Sequence, residues 1–163
     1  SEVEVTRGAE IELEDIEQFD KIILSPGPGL PNEHPVLKQV LTRYFNKKPI
    51  LGICLGQQAI AEFFNANLEN LTTVKHGVTS MVKHFNNCKL FEDIPRNFKI
   101  GHYHSWVVSK INFPKELMIT SKNEEGIITS LNHKKHDITA VQFHPESILT
   151  EHGFLLIKNW VLA

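Results

Sequence analysis

The sequence has few cysteines, no long apolar run and no excess of charge of one sign. Its 163 residues include two cysteines, Cys54 and Cys88, too few for the disulfide framework of a small secreted domain, so we expect a reducing, cytoplasmic location. No apolar stretch approaches the ~20 residues that cross a bilayer, and the first residues do not resemble a signal peptide. Lys and Arg number 17 against 19 Asp and Glu, so the clustered basic excess of a nucleic-acid-binding protein is missing. We therefore expect neither nucleic acid nor a membrane as a partner.

The remaining composition is that of an ordinary globular protein. Hydrophobic residues make up 41% of the chain and charged residues 22%, and a chain of this length can bury a sizeable core. We expect a single domain over residues 1–163.

Hydrophobic periodicity predicts a mixture of strands and helices. Strand, helix and strand follow one another over residues 21–53, which implies parallel strands joined by a crossover, and the later strands suggest an antiparallel extension. The predicted class is three-layer α/β. The pattern predicts strands at 1–6, 21–25, 50–53, 68–75, 78–85, 98–103, 106–109, 117–120, 127–131 and 138–143, and helices at 34–47, 55–64 and 152–162.

The segment Gly52-Ile53-Cys54-Leu55-Gly56 has the form G-x-nucleophile-x-G, between an apolar strand and an apolar-striped helix. This is the context of a nucleophile elbow, a tight turn that needs small neighbours and exposes the nucleophile above the sheet. The helix dipole and the free amides of the first turn favour the thiolate of Cys54. The amide of Leu55 would point to where an oxyanion forms. The alternative is a small buried cysteine packed at a strand end.

A second segment, Gln142-Phe143-His144-Pro145-Glu146-Ser147, follows an apolar strand. Pro145 keeps the chain extended, so His144 and Glu146 project to the same side. A carboxylate there can accept a hydrogen bond from one imidazole nitrogen and leave the other free as a base. Together with Cys54 these residues make a nucleophile, a base and an orienting group.

The third segment is Ser25-Pro26-Gly27-Pro28-Gly29, a stiff loop after an apolar strand, with backbone amides that a ligand could approach. It lacks the G-x-x-x-x-G-K-S/T pattern of a phosphate-binding loop. The nine histidines do not show the spacing of a zinc site, so we predict no metal and no cofactor.

These three segments, in this order, resemble the class I (triad) glutamine amidotransferases. The segments HGVTS at 76–80, YHSWVV at 103–108 and HPESILTEHG at 144–153 resemble the branch that holds component II of anthranilate synthase and of aminodeoxychorismate synthase. The resemblance extends over essentially the whole chain. It implies an open, mostly parallel, flavodoxin-like sheet with helices on both faces.

The resemblance also implies an activity and a partner. Cys54 would attack the side-chain amide of L-glutamine, His144 would carry the proton, and Glu146 would orient His144. The ammonia would pass to a chorismate-binding synthase component I subunit, whose contact we expect at 76–80 and near Ser105. The implied glutamine-binding and oxyanion positions are Gly27, Pro28, Gly29, Leu55, Gln58, Ser105 and Trp106.

The chain departs from this family at three places. Gln57 stands where the family more often has His, and His102 stands where it more often has Arg. The family also begins with an apolar strand and a helix, so we expect the domain to lack its first strand and helix in this sequence.

Three other functions stay open. The chain could serve another synthase, such as one making GMP or carbamoyl phosphate. It could be a stand-alone γ-glutamyl cysteine hydrolase, which would turn over without a partner. It could also be a scaffold that has lost activity. The sequence does not decide between the anthranilate and the aminodeoxychorismate pathways.

Overall fold

The computed structural model describes residues 2–8, 10–85 and 88–163. Over these ranges the chain forms seven strands and three α-helices. The strands are β1 (Ile22–Leu24), β2 (Ile50–Ile53), β3 (Leu68–His84), β4 (Asn97–Val108), β5 (Leu117–Asn123), β6 (Ile128–His133) and β7 (Ile138–Val141). The helices are α1 (Pro35–Tyr44), α2 (Leu55–Phe63) and α3 (Gly153–Leu162), and short 3-10 helices lie at Leu13–Gln18, Pro31–Glu33 and Lys89–Phe91.

All seven strands belong to one mixed sheet, in the order β1-β2-β7-β6-β5-β3-β4. The pairs β1–β2 and β2–β7 are parallel, and the pairs from β7 through to β4 are antiparallel. The expected parallel sheet and its antiparallel extension are both present, and the extension contributes four of the six pairings among the described strands. The carboxyl ends of the parallel strands β2 and β7 meet at one edge.

The helices cover both faces of the sheet. Side chains of a strand alternate between the two faces, so a single strand packs against helices on both sides. Ile50 of β2 packs in the cluster that holds α1 and α2, whereas Leu51 and Ile53 pack in the cluster that holds α3. The predicted three-layer α/β architecture is confirmed. No helix of the described residues is long and apolar enough to span a membrane.

The strand predicted at 1–6 is wrong for its described residues, because residues 2–7 form no strand, and Ser1 lies outside the described residues. Val3 and Val5 are 77% and 89% exposed. Alternating polar and apolar residues favour a strand only where a neighbouring strand supplies its hydrogen bonds and buries one face.

Two other predicted boundaries are wrong. Residues 68–75 and 78–85 were expected as two strands, yet Leu68–His84 is one strand. Gly77, with φ 67°, is accommodated as an irregularity between His76 and Val78 while the ladder continues. The strands expected at 98–103 and 106–109 are likewise one strand, since polar His104 pairs within the ladder and does not break it.

Candidate active site

Cys54 lies on the turn that joins β2 to α2. Its backbone has φ 52° and ψ −101°, outside the conformations that non-glycine residues ordinarily adopt. Its amide donates to the carbonyl of Val141 at 2.8 Å, so the end of β7 holds the turn in place. Strained backbone of this kind is concentrated at functional sites. The strand-to-helix turn predicted from the sequence is therefore present.

The glycines on either side of Cys54 are required by close backbone contacts. An ideal Cβ on Gly56 would lie 2.2 Å from the carbonyl oxygen of Leu24, and one on Gly52 would lie 2.6 Å from the carbonyl oxygen of Gly56. The G-x-C-x-G pattern is thus a steric requirement, because α2 packs directly against β1 and β2 at this turn.

The thiol of Cys54 is buried, with 5% of the residue exposed. Burial raises its pKa to about 11, although a hydrogen bond from the Leu55 backbone and one from Gln142 act in the opposite direction. The amide Nε2 of Gln142 lies 3.5 Å from Sγ and donates to it. The expectation that the helix terminus favours the thiolate is therefore outweighed by burial, and Cys54 is a thiol at neutral pH in this structure.

His144 and Glu146 form a close pair. Nδ1 of His144 lies 2.7 Å from Oε1 of Glu146. The His144 side chain is 11% exposed and the Glu146 side chain 57%. Nε2 of His144 is buried and has no hydrogen-bond partner among the described residues. One nitrogen is thus held by a carboxylate while the other is unengaged, as a general base requires.

A cavity of about 150 Å³ opens beside Cys54. All seven residues expected to bind glutamine or its oxyanion line it, together with Cys54, Tyr103 and His104. His144 and Glu146 are not among the lining residues, but Tyr103, which lines the cavity, contacts His144. Its ring packs edge-on against His144 with centroids 5.0 Å apart, and its hydroxyl lies 3.2 Å from Oγ of Ser147.

Gln58 is fixed inside this cavity. Its Nε2 donates to the carbonyl of Trp106 at 2.9 Å and to Oε1 of Gln142 at 3.2 Å. Gln142 in turn donates to Cys54, so a chain of side-chain amides connects α2, β4 and the end of β7 to the sulfur.

The loop after β1 lies against the start of α2. An ideal Cβ on Gly27 would lie 2.8 Å from Cδ2 of Leu55. The two residues expected to supply oxyanion amides, Gly27 and Leu55, are therefore neighbours at the cavity, although they are 28 positions apart in the chain.

Behind the cavity lies a buried chain of polar side chains. Oγ of Ser80 lies 2.6 Å from Nε2 of His102, and Nδ1 of His102 lies 2.9 Å from Nε2 of His104. Burial lowers the pKa of His102 to about 4 and that of His104 to about 3. Both imidazoles are neutral at physiological pH, so His102 does not replace the positive charge of the arginine more usual in the family.

Sequence reasoning did not assign Gln142, Tyr103 or His104 to the site. Gln142 is two positions before His144 on an extended segment, and this spacing could have placed both on one side. Tyr103 and His104 lie in the segment YHSWVV, in which the resemblance implied a role for Ser105 and Trp106 but not for these two residues. A larger hollow of about 430 Å³, lined by Phe45, Phe64, His133 and His136 among others, contains none of the predicted site residues.

Comparison with known proteins identifies the family. The glutamine amidotransferase class-I family matches residues 2–163, and the chain belongs to this family. It is 42% identical to a Haemophilus influenzae protein provisionally described as anthranilate synthase component II, over 89% of this chain and 75% of the relative. It is 37% identical to aminodeoxychorismate synthase component 2 of Klebsiella aerogenes, over 99% of this chain and 87% of the relative.

Other matches are longer or more distant. The chain is 41% identical to a multifunctional tryptophan biosynthesis protein of Pichia angusta, over 96% of this chain, and spans 43% of that relative's length. A solved structure from Thermoplasma acidophilum, provisionally described as part of a GMP synthase, has a TM-score of 0.82 and 24% identity over 93% of this chain and 76% of the other. That likeness confirms the fold expected from the sequence.

Proposed function

We propose that this chain, as a single domain, is a glutaminase that hydrolyses L-glutamine to glutamate and ammonia. The observation that carries the proposal is the cavity beside Cys54, which all seven expected glutamine-binding residues line. These residues come from the loop after β1, from α2 and from β4, and the fold brings them to one place.

Cys54, His144 and Glu146 perform the chemistry in this proposal. Sγ attacks the side-chain carbonyl carbon of glutamine while its proton passes to His144, and the carbonyl oxygen becomes an oxyanion at the amides of Gly27 and Leu55. The tetrahedral intermediate collapses, the C–N bond breaks, and His144 gives the proton to the leaving ammonia. A water, deprotonated by His144, then attacks the thioester carbonyl carbon. The C–S bond breaks, glutamate is released, and His144 returns the proton to Sγ of Cys54.

Gln58 is the residue we assign to the amino-acid part of the substrate. Its Nε2 hydrogens are taken by Trp106 and Gln142, which leaves its Oε1 to accept a hydrogen bond from an N–H group of glutamine. Ser105 and Trp106 complete this side of the cavity.

Cys54 and His144 are not arranged for proton transfer between them in this structure. The pKa of Cys54 is raised to about 11, and no hydrogen bond joins Cys54 to His144 in the part of the chain that the structure describes. Nε2 of His144 has no partner there. Activity therefore requires that the substrate or a partner protein bring the thiol and the imidazole together, so that His144 takes the proton as Sγ attacks.

The partner we assign is a chorismate-aminating synthase component I subunit, because the relatives are described as components of anthranilate and aminodeoxychorismate synthases. The expected contact surface, residues 76–80, is exposed apart from Ser80. Val74, Val78 and Met81 on the same strand are 65%, 44% and 42% exposed. Several exposed apolar side chains on one strand are typical of an interface. The free thiols fit a cytoplasmic enzyme of this kind.

Replacement of the nucleophile tests this function in the complex with component I. Cys54→Ser should abolish glutamine-dependent amination of chorismate and leave ammonia-dependent amination intact. Cys88→Ser, which changes the other buried thiol, should leave both activities unchanged. Loss of both activities in Cys54→Ser would show that Cys54 is structural. Rapid turnover of glutamine by the free chain would favour a stand-alone hydrolase.

A further inference from the structure

A histidine outside the three chemistry-bearing segments contacts the loop that carries Gly27. Nε2 of His34 lies 2.7 Å from the carbonyl oxygen of Pro28. Because a carbonyl oxygen only accepts, Nε2 carries the hydrogen and donates it. His34 precedes α1 as its N-cap residue. We propose that His34 is a positioning residue that holds the loop at residues 25–29 so that the amide of Gly27 faces the developing oxyanion.

This inference rests on the proposed glutaminase function, and the small number of free torsions between Gly27 and Pro28 supports it. The φ angle of Pro28 is locked by its ring. His34 holds the peptide between Pro28 and Gly29, and the Gly27 amide belongs to the peptide between Pro26 and Gly27. Only three free torsions therefore lie between these two peptides, namely φ and ψ of Gly27 and ψ of Pro28. Glycine torsions are the least restricted in a chain, so a loop of this composition needs an anchor at each end.

The upstream anchor is the sheet, where Leu24 of β1 pairs with Gly52 of β2. The downstream anchor is the turn after the loop. Oε1 of Glu33 accepts a hydrogen bond from the amide of Leu30 at 2.8 Å. Gly29 has φ 72°, and an ideal Cβ on it would lie 2.7 Å from the Glu33 carboxylate. This closed turn sets the position from which His34 reaches back to Pro28.

The consequence is specific to the transition state. The amide of Gly27 has little to stabilise while glutamine is bound as a neutral amide, and much when its oxygen becomes charged. A loop freed from His34 should therefore lower kcat more than it raises KM, because the loop also lines the glutamine cavity but the Gly27 amide is needed most in the transition state.

The test uses the complex with component I and measures glutamine-dependent amination. Removal of one hydrogen bond in His34→Ala should lower kcat about threefold to tenfold, with a smaller change in KM. His34→Gln places an amide N–H where Nε2 was and should restore most of the rate. Asn32→Ala changes an exposed residue of the same turn and should match the wild type. Ammonia-dependent amination should be the same in all of these proteins.

Two results would overturn the role of His34. One is a wild-type kcat in His34→Ala, and the other is a kcat loss that His34→Gln does not reverse. A wild-type complex that cannot use glutamine would instead overturn the proposed function, and the role of His34 with it. The wild-type protein therefore separates the two failures.

Discussion

The imidazole of His144 is held by Glu146 on one side and packed by Tyr103 on another. Nδ1 lies 2.7 Å from Oε1 of the carboxylate, and the tyrosine ring meets the imidazole edge-on. Because Nδ1 donates its hydrogen to the carboxylate, Nε2 is the nitrogen that can accept a proton in the neutral imidazole. The proposed base is thus oriented before Nε2 has a hydrogen-bond partner.

Removal of the base should cost more than removal of the group that orients it. His144→Ala should lower glutamine-dependent kcat about 10²- to 10⁴-fold, the contribution of a general base. Glu146→Ala should lower it about 10- to 100-fold, because it removes one hydrogen bond to a group that becomes charged. Steady-state kinetics of the complex measure both values. Equal losses would contradict this ranking, and ammonia-dependent amination serves as the control.

The raised pKa of Cys54 predicts a distinctive alkylation profile in the free chain. Iodoacetamide reacts with the thiolate, and the folded pKa of about 11 lies above the ordinary value. The labelling rate should therefore rise about tenfold per pH unit from pH 7 to pH 10 without levelling off, because each unit multiplies the thiolate fraction tenfold.

A Cys88→Ser background restricts this labelling to one site, which intact-mass measurement follows. A labelling rate that levels off near pH 8.5 would mean that burial does not raise the pKa of Cys54. The same labelling is repeated in the complex with component I, at glutamine concentrations below saturation. If Cys54 is labelled faster at pH 7 there than in the free chain, assembly makes the thiol more reactive.

The tight packing at the nucleophile turn predicts unequal costs for two glycine substitutions. Gly56→Ala places a Cβ against the Leu24 carbonyl, so backbone must shift, and we expect a loss of about 3 kcal/mol in unfolding free energy together with loss of activity. Gly77→Ala meets no atom within 4 Å. Its cost is the positive φ alone, about 1–2 kcal/mol. Urea unfolding of both variants checks this order, and equal destabilisation would contradict it.

The sequence predicts the elements around the site well and the periphery less well. The turn at Cys54 is recognisable because two glycines flank a nucleophile between an apolar strand and an apolar-striped helix, and each glycine has a steric reason. The strand predicted at 1–6 is wrong for its described residues, because alternation does not reveal whether a neighbouring strand is available. The break expected near Gly77 is a local irregularity, since the ladder to β4 supplies hydrogen bonds that no local pattern shows.

The parts of the site that sequence reasoning missed depend on long-range contacts. Gln142 meets Cys54 from 88 positions away. Gln58 and Trp106 were both predicted, but the hydrogen bond between them spans 48 positions and no local pattern shows it. The burial that raises the pKa of Cys54 likewise comes from the packed fold. The helix terminus, a local feature, predicted that Cys54 would favour the thiolate, but burial by the surrounding residues raises the pKa of the thiol.

The buried pair His102 and His104 predicts a loss of stability in mild acid. Their folded pKa values, about 4 and about 3, lie below the ordinary 6.5. The unfolded chain therefore binds more protons below pH 6.5, so the stabilisation is complete above that pH and is lost as pH falls. Each imidazole contributes a slope approaching ~1.4 kcal/mol per pH unit, so the pair should cost about 2 kcal/mol between pH 6 and pH 5.

Urea unfolding at pH 7, 6 and 5 measures this loss directly. In His102→Gln one of these titrations is removed, so the decrease in unfolding free energy between pH 6 and pH 5 should be smaller than that of the wild type by about 1 kcal/mol. His76→Gln changes an exposed histidine and should keep the wild-type slope. If His102→Gln and the wild type lose the same free energy over this range, His102 does not stay neutral because of burial, and the hydrogen-bonded chain from Ser80 to His104 has a different protonation state.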